Sequence, residues 1–282
     1  MSRVQEIIKW VESNLDKKLS AESVANVTGY SSRHLYSKFK EETGVTLTDY
    51  IRLRKLTLAS FMLRRSGRTV TDIVFMYGFD SIQHFSRLFK SHFGISPRAF
   101  RNADSWNMNL FFPSAIVTEF SYTTEICNIH NKAISAYFSD VIDIDYGFNF
   151  LLSSNQGKII TARDIADYYI NMFTTIASNK SHFTVLGEVV PIKGLDARIT
   201  TYIGQISSAP SSSTDHIKIP ARKYIRFNHS GALLDIINFH TWAAGHGLRK
   251  HQCWLSRGPT FTTFTLINSY KEFEINYYIP IA

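Results

Sequence analysis

The stretch "GYSSRHLYSKFKEETG", residues 29–44, is nearly restated by "GFDSIQHFSRLFKSHFG", residues 78–94. Both run glycine, aromatic, small polar pair, His, Phe-Lys and a closing glycine. Phe39-Lys40 recurs as Phe89-Lys90, Gly44 as Gly94 and Tyr50 as Phe100, all at one offset. Gly29 recurs as Gly78 one residue sooner, so the second copy carries one extra residue where its second helix begins. A chain that spells one supersecondary unit twice is confined to folds that hold two of them. Each copy reads as short helix, glycine turn, second helix, which is the helix-turn-helix pattern. Between them the spacing predicts a helix from about Thr48 to Arg65, about 27 Å long at 1.5 Å per residue. Such a spacer sets two recognition helices near one DNA turn apart, about 34 Å, on one face of a duplex.

The flanking pattern agrees. Val4, Ile7, Ile8, Val11 and Leu15 fall on one face of a first helix. Ser20 reads as the cap of a second, which Gly29 breaks, and Ser31 or Ser32 as the cap of a third, closed by Gly44. The cycle repeats with a helix near Val70–Tyr77, Gly78, a capping Asp80 or Ser81, a helix to His92, Gly94, and a last helix from Pro97. Helical periodicity stops in "NADSWNMNLFFPSA", residues 102–115, where the domain boundary is placed: 1–105, a linker at 106–115, and 116–282. Beyond it, 161–178 reads as a helix capped by Thr161, with Ile165, Tyr169, Met172, Phe173 and Ile176 on one face. Residues 216–231 read as a strand hairpin, "ALLDIINFHTWAAGHG" as a helix closed by Gly245 or Gly247, and 207–214 as a loop. "FTTFTLI" and "EFEINYYIPI" alternate as strands. The mixture argues for an α+β second domain.

Charge divides along the same line. The chain of 282 residues carries a net +8, and residues 1–105 hold 17 Lys/Arg against 10 Asp/Glu, leaving 14 against 13 in the rest. The basic excess suits a polyanionic partner at the first domain. Two cysteines, Cys127 and Cys253, build no disulfide framework. The amphipathic start does not read as a signal peptide and no apolar run spans a membrane, so a cytoplasmic, nucleoid-associated protein is expected. Cys127 and His130, with His251 and Cys253, have the residue types of a zinc site but lie far apart without a tight metal loop, and read as unrelated side chains, as do His240 and His246. No GxSxG, HExxH, P-loop or dinucleotide fingerprint occurs; no cofactor, no metal and no enzyme activity are expected.

In the first copy Leu35 and Phe39 face the core, which turns Arg33, Tyr36, Ser37 and Lys40 outward. In the second, Phe85 and Phe89 are core, and Ile82, Gln83, Ser86 and Arg87 face out. Lys38, Lys40, Lys90, Arg98 and Arg101 are candidate phosphate contacts, which position a protein on DNA without choosing its sequence.

The run "YIRLRKLTLASFMLRRSGRTVTDIVFMYGFDSIQHFSRLFKSHFGISPRAFR" resembles the signature of the AraC/XylS family of bacterial transcription regulators, in its MarA/Rob-like branch. "HIKIPARKYIRFNHSG", the helix after it and "INYYIPI" resemble the GyrI-like sensor domain. The resemblance implies a multidomain fold: an all-α N-terminal domain of seven helices with two helix-turn-helix units joined by a long helix, plus an α+β GyrI-like domain of paired β-α-β-β repeats. It implies sequence-specific binding of double-stranded DNA, activation by contact with RNA polymerase, and base reading by Arg33, Tyr36, Ser37, Ile82, Gln83, Ser86 and Arg87. That branch has Trp, Gln and Arg where this chain has Arg33, Tyr36 and Ser37, so the first half-site differs; Gln83 and Arg87 match, and Ser86 replaces Thr. The resemblance also implies an aromatic effector pocket, with Tyr224, Phe261, Thr262, Glu274, Asn276 and Tyr278 as its candidates. Thr262 stands where multidrug-binding relatives carry a Glu, and only Glu274 supplies an acid nearby. A neutral or anionic amphiphile is therefore favoured over a lipophilic cation. The chain is expected to bind DNA as a monomer, with no membrane partner. Two other classes remain: a low-specificity architectural or origin-region DNA binder, and a hydrolase in the second domain.

Overall fold

The computed structural model describes residues 3–28, 32–116, 118–144, 162–193, 196–208, 216–268 and 272–282. These fall into two compact units, and the chain alternates between them. The first takes in residues up to Ala103 and resumes at Leu110; the second takes in Asp104–Asn109 and the described residues from Thr118 onward.

The first unit is helical: α1 (Arg3–Glu12), α2 (Ala21–Thr28), α3 (Ser32–Thr43), α4 (Leu47–Arg65), α5 (Val70–Met76), α6 (Ile82–Phe93) and α7 (Pro97–Asn102). α1 ends three residues short of the expected Leu15. The Ser13 hydroxyl joins its own backbone amide on the Lys9 carbonyl, the Asn14 side-chain amide takes the Trp10 carbonyl and the Asn14 backbone amide turns to Val11, although Leu15 still buries itself completely. Ser20 Oγ caps α2 through the Ser23 amide. Ser81, not Asp80, caps α6, and Ser96 caps α7 with Pro97 in the first turn. The turn at Gly29 and the cap at Ser31 lie outside the described residues, as do Thr161 and residues 209–215 of the expected loop.

The repeat of the sequence is a repeat of contacts. Phe39 and Phe89 are both fully buried, and each meets the edge of the aromatic ring found at the same offset in its own copy. Phe39 meets Tyr50 at 5.4 Å and 74°, and Phe89 meets Phe100 at 5.2 Å and 87°. Edge-to-face pairs of this kind add about 0.5–1.5 kcal/mol each beyond their burial. Gly44 and Gly94 close α3 and α6 with φ of 77° and 79°, a left-handed cap that costs any residue with a Cβ.

The second unit is sheet-rich: β1 (Ser105–Asn107), β2 (Thr123–Ile129), β3 (Lys132–Ile144), α8 (Ala162–Ala177), β4 (His182–Pro191), β5 (Ala197–Ser208), β6 (His216–Ile219), β7 (Arg222–Ala232), α9 (Ile236–Trp242), α10 (Leu248–Lys250), β8 (Trp254–Ser256), β9 (Thr260–Leu266) and β10 (Glu272–Pro280). β1 pairs with β8, and the other eight strands form one antiparallel sheet in the order β2-β7-β10-β9-β4-β5-β3-β6. Residues 216–231 are therefore not a hairpin. β6 pairs with β3 and β7 with β2 and β10, because two residues, Pro220-Ala221, only bend the chain there. β2 bends likewise into β3 at Asn131, whose φ is 49°. The pairing Ile129↔Arg222 continues in the same register as Lys132↔Ile219, so two bent chain segments link the ends of the sheet.

α8 and α9 both cover one sheet face. Phe173 meets Phe264, Tyr169 Oη bonds Thr201 Oγ1, and His240 stacks on Tyr277. On α8 the expected stripe holds at Tyr169, Met172, Phe173 and Ile176, while the Ile165 side chain is outside the described residues. The helix from Ile236 is not closed at Gly245 or Gly247; it widens into a π-turn at Ala243–Gly247 and runs on to Lys250.

Candidate nucleic-acid interface

α3 and α6 place the base-reading candidates by elementary helix geometry. Leu35 and Phe39, one turn apart, are buried, so Tyr36, Ser37, Lys38 and Lys40 are exposed. Arg33 sits in the first turn of α3, and its side chain lies outside the described residues. On α6, Phe85 and Phe89 are fully buried, Ile82, Gln83, Arg87 and Lys90 are exposed, and Ser86 is half-buried. Tyr36 and Ile82 put large apolar surface into water at the outward faces, 41% and 37% exposed. Surface of that kind matches thymine methyl groups as readily as another protein.

The cationic candidates divide. Lys40, Lys90 and Arg98 are exposed. Lys38 is exposed but holds the Glu41 carboxylate at 2.9 Å, and that hydrogen bond raises its ammonium pKa. Arg101 has a different task. Its Nε donates to the Leu63 carbonyl at 3.1 Å and its Nη2 to the Arg68 carbonyl at 2.5 Å, bracing the last turn of α4 and the chain after it. Burial pulls that guanidinium down from its ordinary value. Two of its donors are thus committed inside the protein.

α4 spans 19 residues, about 28 Å. Beneath it lies a charged network that pattern reading passed over. The Glu12 carboxylate accepts from Tyr50 Oη (2.6 Å), Arg54 Nε (2.7 Å) and Arg54 Nη2 (3.0 Å), all buried. Arg54 Nη1 donates on to the Phe112 carbonyl at 2.7 Å, and the Ala115 amide donates to Tyr50 Oη at 3.1 Å. Thr57 Oγ1 accepts from the Phe112 amide, and His92 Nε2 meets the Leu110 carbonyl at 2.7 Å. Residues 110–115 are thereby strapped to the helical unit. Burial opposes the charge on Arg54, and the Glu12 carboxylate overrides it and holds the guanidinium above its usual value. Burial, then Glu12, pushes the Tyr50 hydroxyl above the usual phenol range. The one signal in the sequence was a glutamate and an arginine at helix positions that otherwise bury.

The pocket candidates of the second unit lie on both sides of its sheet. Strand alternation puts Tyr224, Phe261, Glu274, Asn276 and Tyr278 on the face opposite α8 and α9. There Phe261 stacks on Tyr278 at 4.2 Å and meets the edge of Tyr224 at 5.3 Å, among Ile134, Leu186 and Ile219. Asn228 Nδ2 donates to both Glu274 Oε1 and Asn276 Oδ1 at 2.9 Å. Tyr224 Oη is buried with no hydrogen-bond partner, and burial pushes its pKa up to about 12. Thr262 is turned to the helix-covered face, where its hydroxyl meets His240 Nε2 at 2.9 Å. It is Thr263 that shares the face of Asn276. The Cys127 thiol points at the Tyr224 carbonyl and the Cys253 thiol at the His251 carbonyl. Among the described residues no three His, Cys, Asp or Glu side chains converge on a metal position, and no helix is long and apolar enough to cross a membrane.

Residues 24–103 match a family model described as a helix-turn-helix domain. The TetD protein of transposon Tn10 from Escherichia coli is 40% identical over 105 residues, 37% of this chain and 76% of that protein. The chain belongs to the AraC family of transcriptional regulators. Two further relatives are transcriptional regulators. The Escherichia coli K12 protein YkgA is 34% identical over 142 residues, 50% of this chain and 59% of that protein. The transcriptional regulator Rob of Salmonella typhimurium is 36% identical over 118 residues, 42% of this chain and 41% of that protein. The match thus spans less than two thirds of YkgA and of Rob.

Proposed function

We propose that this chain is a sequence-specific DNA-binding transcription regulator in which α2–α3 and α5–α6 are two helix-turn-helix units. α4 holds α3 and α6 for two successive major-groove segments, and the chain binds as a monomer. The observation that carries this reading is the duplicated aromatic pair, Phe39–Tyr50 and Phe89–Phe100. It seats each second helix on the helix that follows by the same contact, so both present the same outward face. The excess of Lys and Arg in residues 1–105 supports it. Arg33 and Arg87 each pair with a guanine, a contact worth about 1–3 kcal/mol of discrimination. Tyr36, Ser37, Ile82, Gln83 and Ser86 complete the readout, with Lys40, Lys90 and Arg98 on phosphates. Activation proceeds by contact with RNA polymerase.

The second unit is the sensor in this reading, GyrI-like in its helix-covered sheet. Its ligand face carries Tyr224, Phe261 and Tyr278. Glu274 on this face is exposed to solvent and Glu125 is already paired with Arg226, so among the described residues of the face no buried carboxylate is left for a cation, and a neutral or anionic amphiphile suits it better.

Mobility-shift titration of a duplex selected from random sequence tests the first part. Arg33→Ala and Arg87→Ala should each lose about tenfold or more, and the loss should map to different half-sites when bases are exchanged one by one. Parent-like binding of every sequence by both variants overturns the assignment of faces. The same basic excess also favours a second reading, an architectural or origin-region binder. A preference below about 10³ over random DNA at physiological salt would select it.

A further inference from the structure

α4 is not the only connection between the two proposed helix-turn-helix units. The turn that leads into α2 lies in backbone contact with the turn between α5 and α6. Gly78, with φ of 62°, comes so close to this segment that a Cβ there would stand 3.1 Å from the carbonyl carbon and oxygen of Lys17 and 3.2 Å from the Lys18 amide nitrogen. Lys55, buried on the middle of α4, donates its ammonium to that same Lys17 carbonyl at 2.7 Å. Outside, Lys18 Nζ meets Asp80 Oδ1 at 2.7 Å. Asp80 directly precedes Ser81, the cap of α6. Three elements thus converge on residues 17–18: the rod, the entrance to the first unit, and the turn that launches the second recognition helix.

We infer that Lys55 and Gly78 form a joint that fixes the spacing and angle between α3 and α6, which makes Lys55 a positioning residue for recognition of a two-part DNA site. The physical case rests on the burial of an ammonium. A lysine almost never buries its charge without a partner. Here the ammonium hydrogen-bonds a main-chain carbonyl whose other side is covered by a glycine, and the Asp16 and Asp80 carboxylates favour its charge against burial. Packing α4 alone calls for an apolar side chain at that position. A buried donor on a carbonyl holds a distance, and the glycine permits a close approach and a left-handed backbone that a Cβ would crowd and strain. The exposed Lys18–Asp80 pair adds little energy by itself, but it lies on the same seam. With the joint intact, inserting one base pair between half-sites moves the second by about 3.4 Å and about a tenth of a turn, which rigid probes cannot follow.

The inference rests on the two-groove reading, and one experiment separates them. The probe is a duplex recovered by selection from random-sequence DNA with the full chain, together with versions carrying one base pair inserted or deleted midway. The parent is expected to lose more than about tenfold on insertion. Lys55→Met and Gly78→Ala, which attack the joint from opposite sides, should bind the intact duplex several-fold more weakly yet lose less than about threefold on insertion. Melting curves of both variants accompany the titration, and Gly78→Ala serves alone if Lys55→Met does not fold. A uniform loss on every duplex, with the parent's spacing penalty retained, overturns the joint. A parent indifferent to insertion overturns the two-groove reading itself.

Discussion

Arg101 shows how little a residue type says about its work. In a basic domain, a C-terminal arginine reads as a phosphate contact, yet its donors go to the carbonyls of Leu63 and Arg68. We expect Arg101→Ala to destabilise the helical unit by about 1–2 kcal/mol in denaturant titration, the cost of losing charged hydrogen bonds to backbone. The salt dependence of DNA binding should stay as in the parent. Lys90→Ala should do the reverse, keeping stability and lowering the slope of log affinity against log salt by about one. The core phenylalanines were legible because 3.6-residue periodicity constrains them locally. Arg101 was not, because both its acceptors lie more than thirty residues back. Thr262 teaches the same at shorter range: strand alternation decides its face, and an offset of one residue moves it to the other side of the sheet.

At the scale of elements, helices and their caps followed from sequence better than strand partners did. A cap is a contact three residues long, whereas β6 and β7 find partners across the whole second unit. The packing of α9 on β9 and β10 has a consequence for pH. His240 lies between Thr262 and Tyr277, and burial lowers its pKa from 6.5 to about 3. The unfolded chain therefore binds this proton first as pH falls. The contribution of His240 is fully present above about pH 6.5 and drains away below it, with a slope that cannot exceed about 1.4 kcal/mol per pH unit. The residue as a whole is only half-buried, which trims that slope. Melting of the second unit should fall measurably between pH 6.5 and 5, above the range in which carboxylates such as Asp143 take up protons. His240→Gln should flatten the profile in that window, and an unchanged slope would show that this histidine charges without cost.

For the molecule as a whole, the repeat made the twofold plan of the first hundred residues visible, and the change in periodicity near residue 105 announced a second kind of structure. What the sequence concealed is the path of the chain between them. Residues 104–109 belong to one unit and residues from Leu110 to the other, because Glu12 and Arg54 recruit a segment that carries no periodic pattern. Glu12→Leu leaves Arg54 buried without its counter-ion and should cost about 3–5 kcal/mol. Hydrogen exchange should then show the amides of Phe112 and Ala115 opening before the rest of the helical unit. Protection equal to the parent's would mean that the strap is held by packing alone.

That alternating path bears on how regulators of this design trade their parts. A chimaera joined at residue 105 would strand an ion pair with no backbone to satisfy it, and one joined at 116 would carry off the strand that β8 requires. Shuffling by a single crossover damages one half or the other, so a working hybrid has to inherit the whole thirteen-residue passage, 104–116, together with partners for both of its ends.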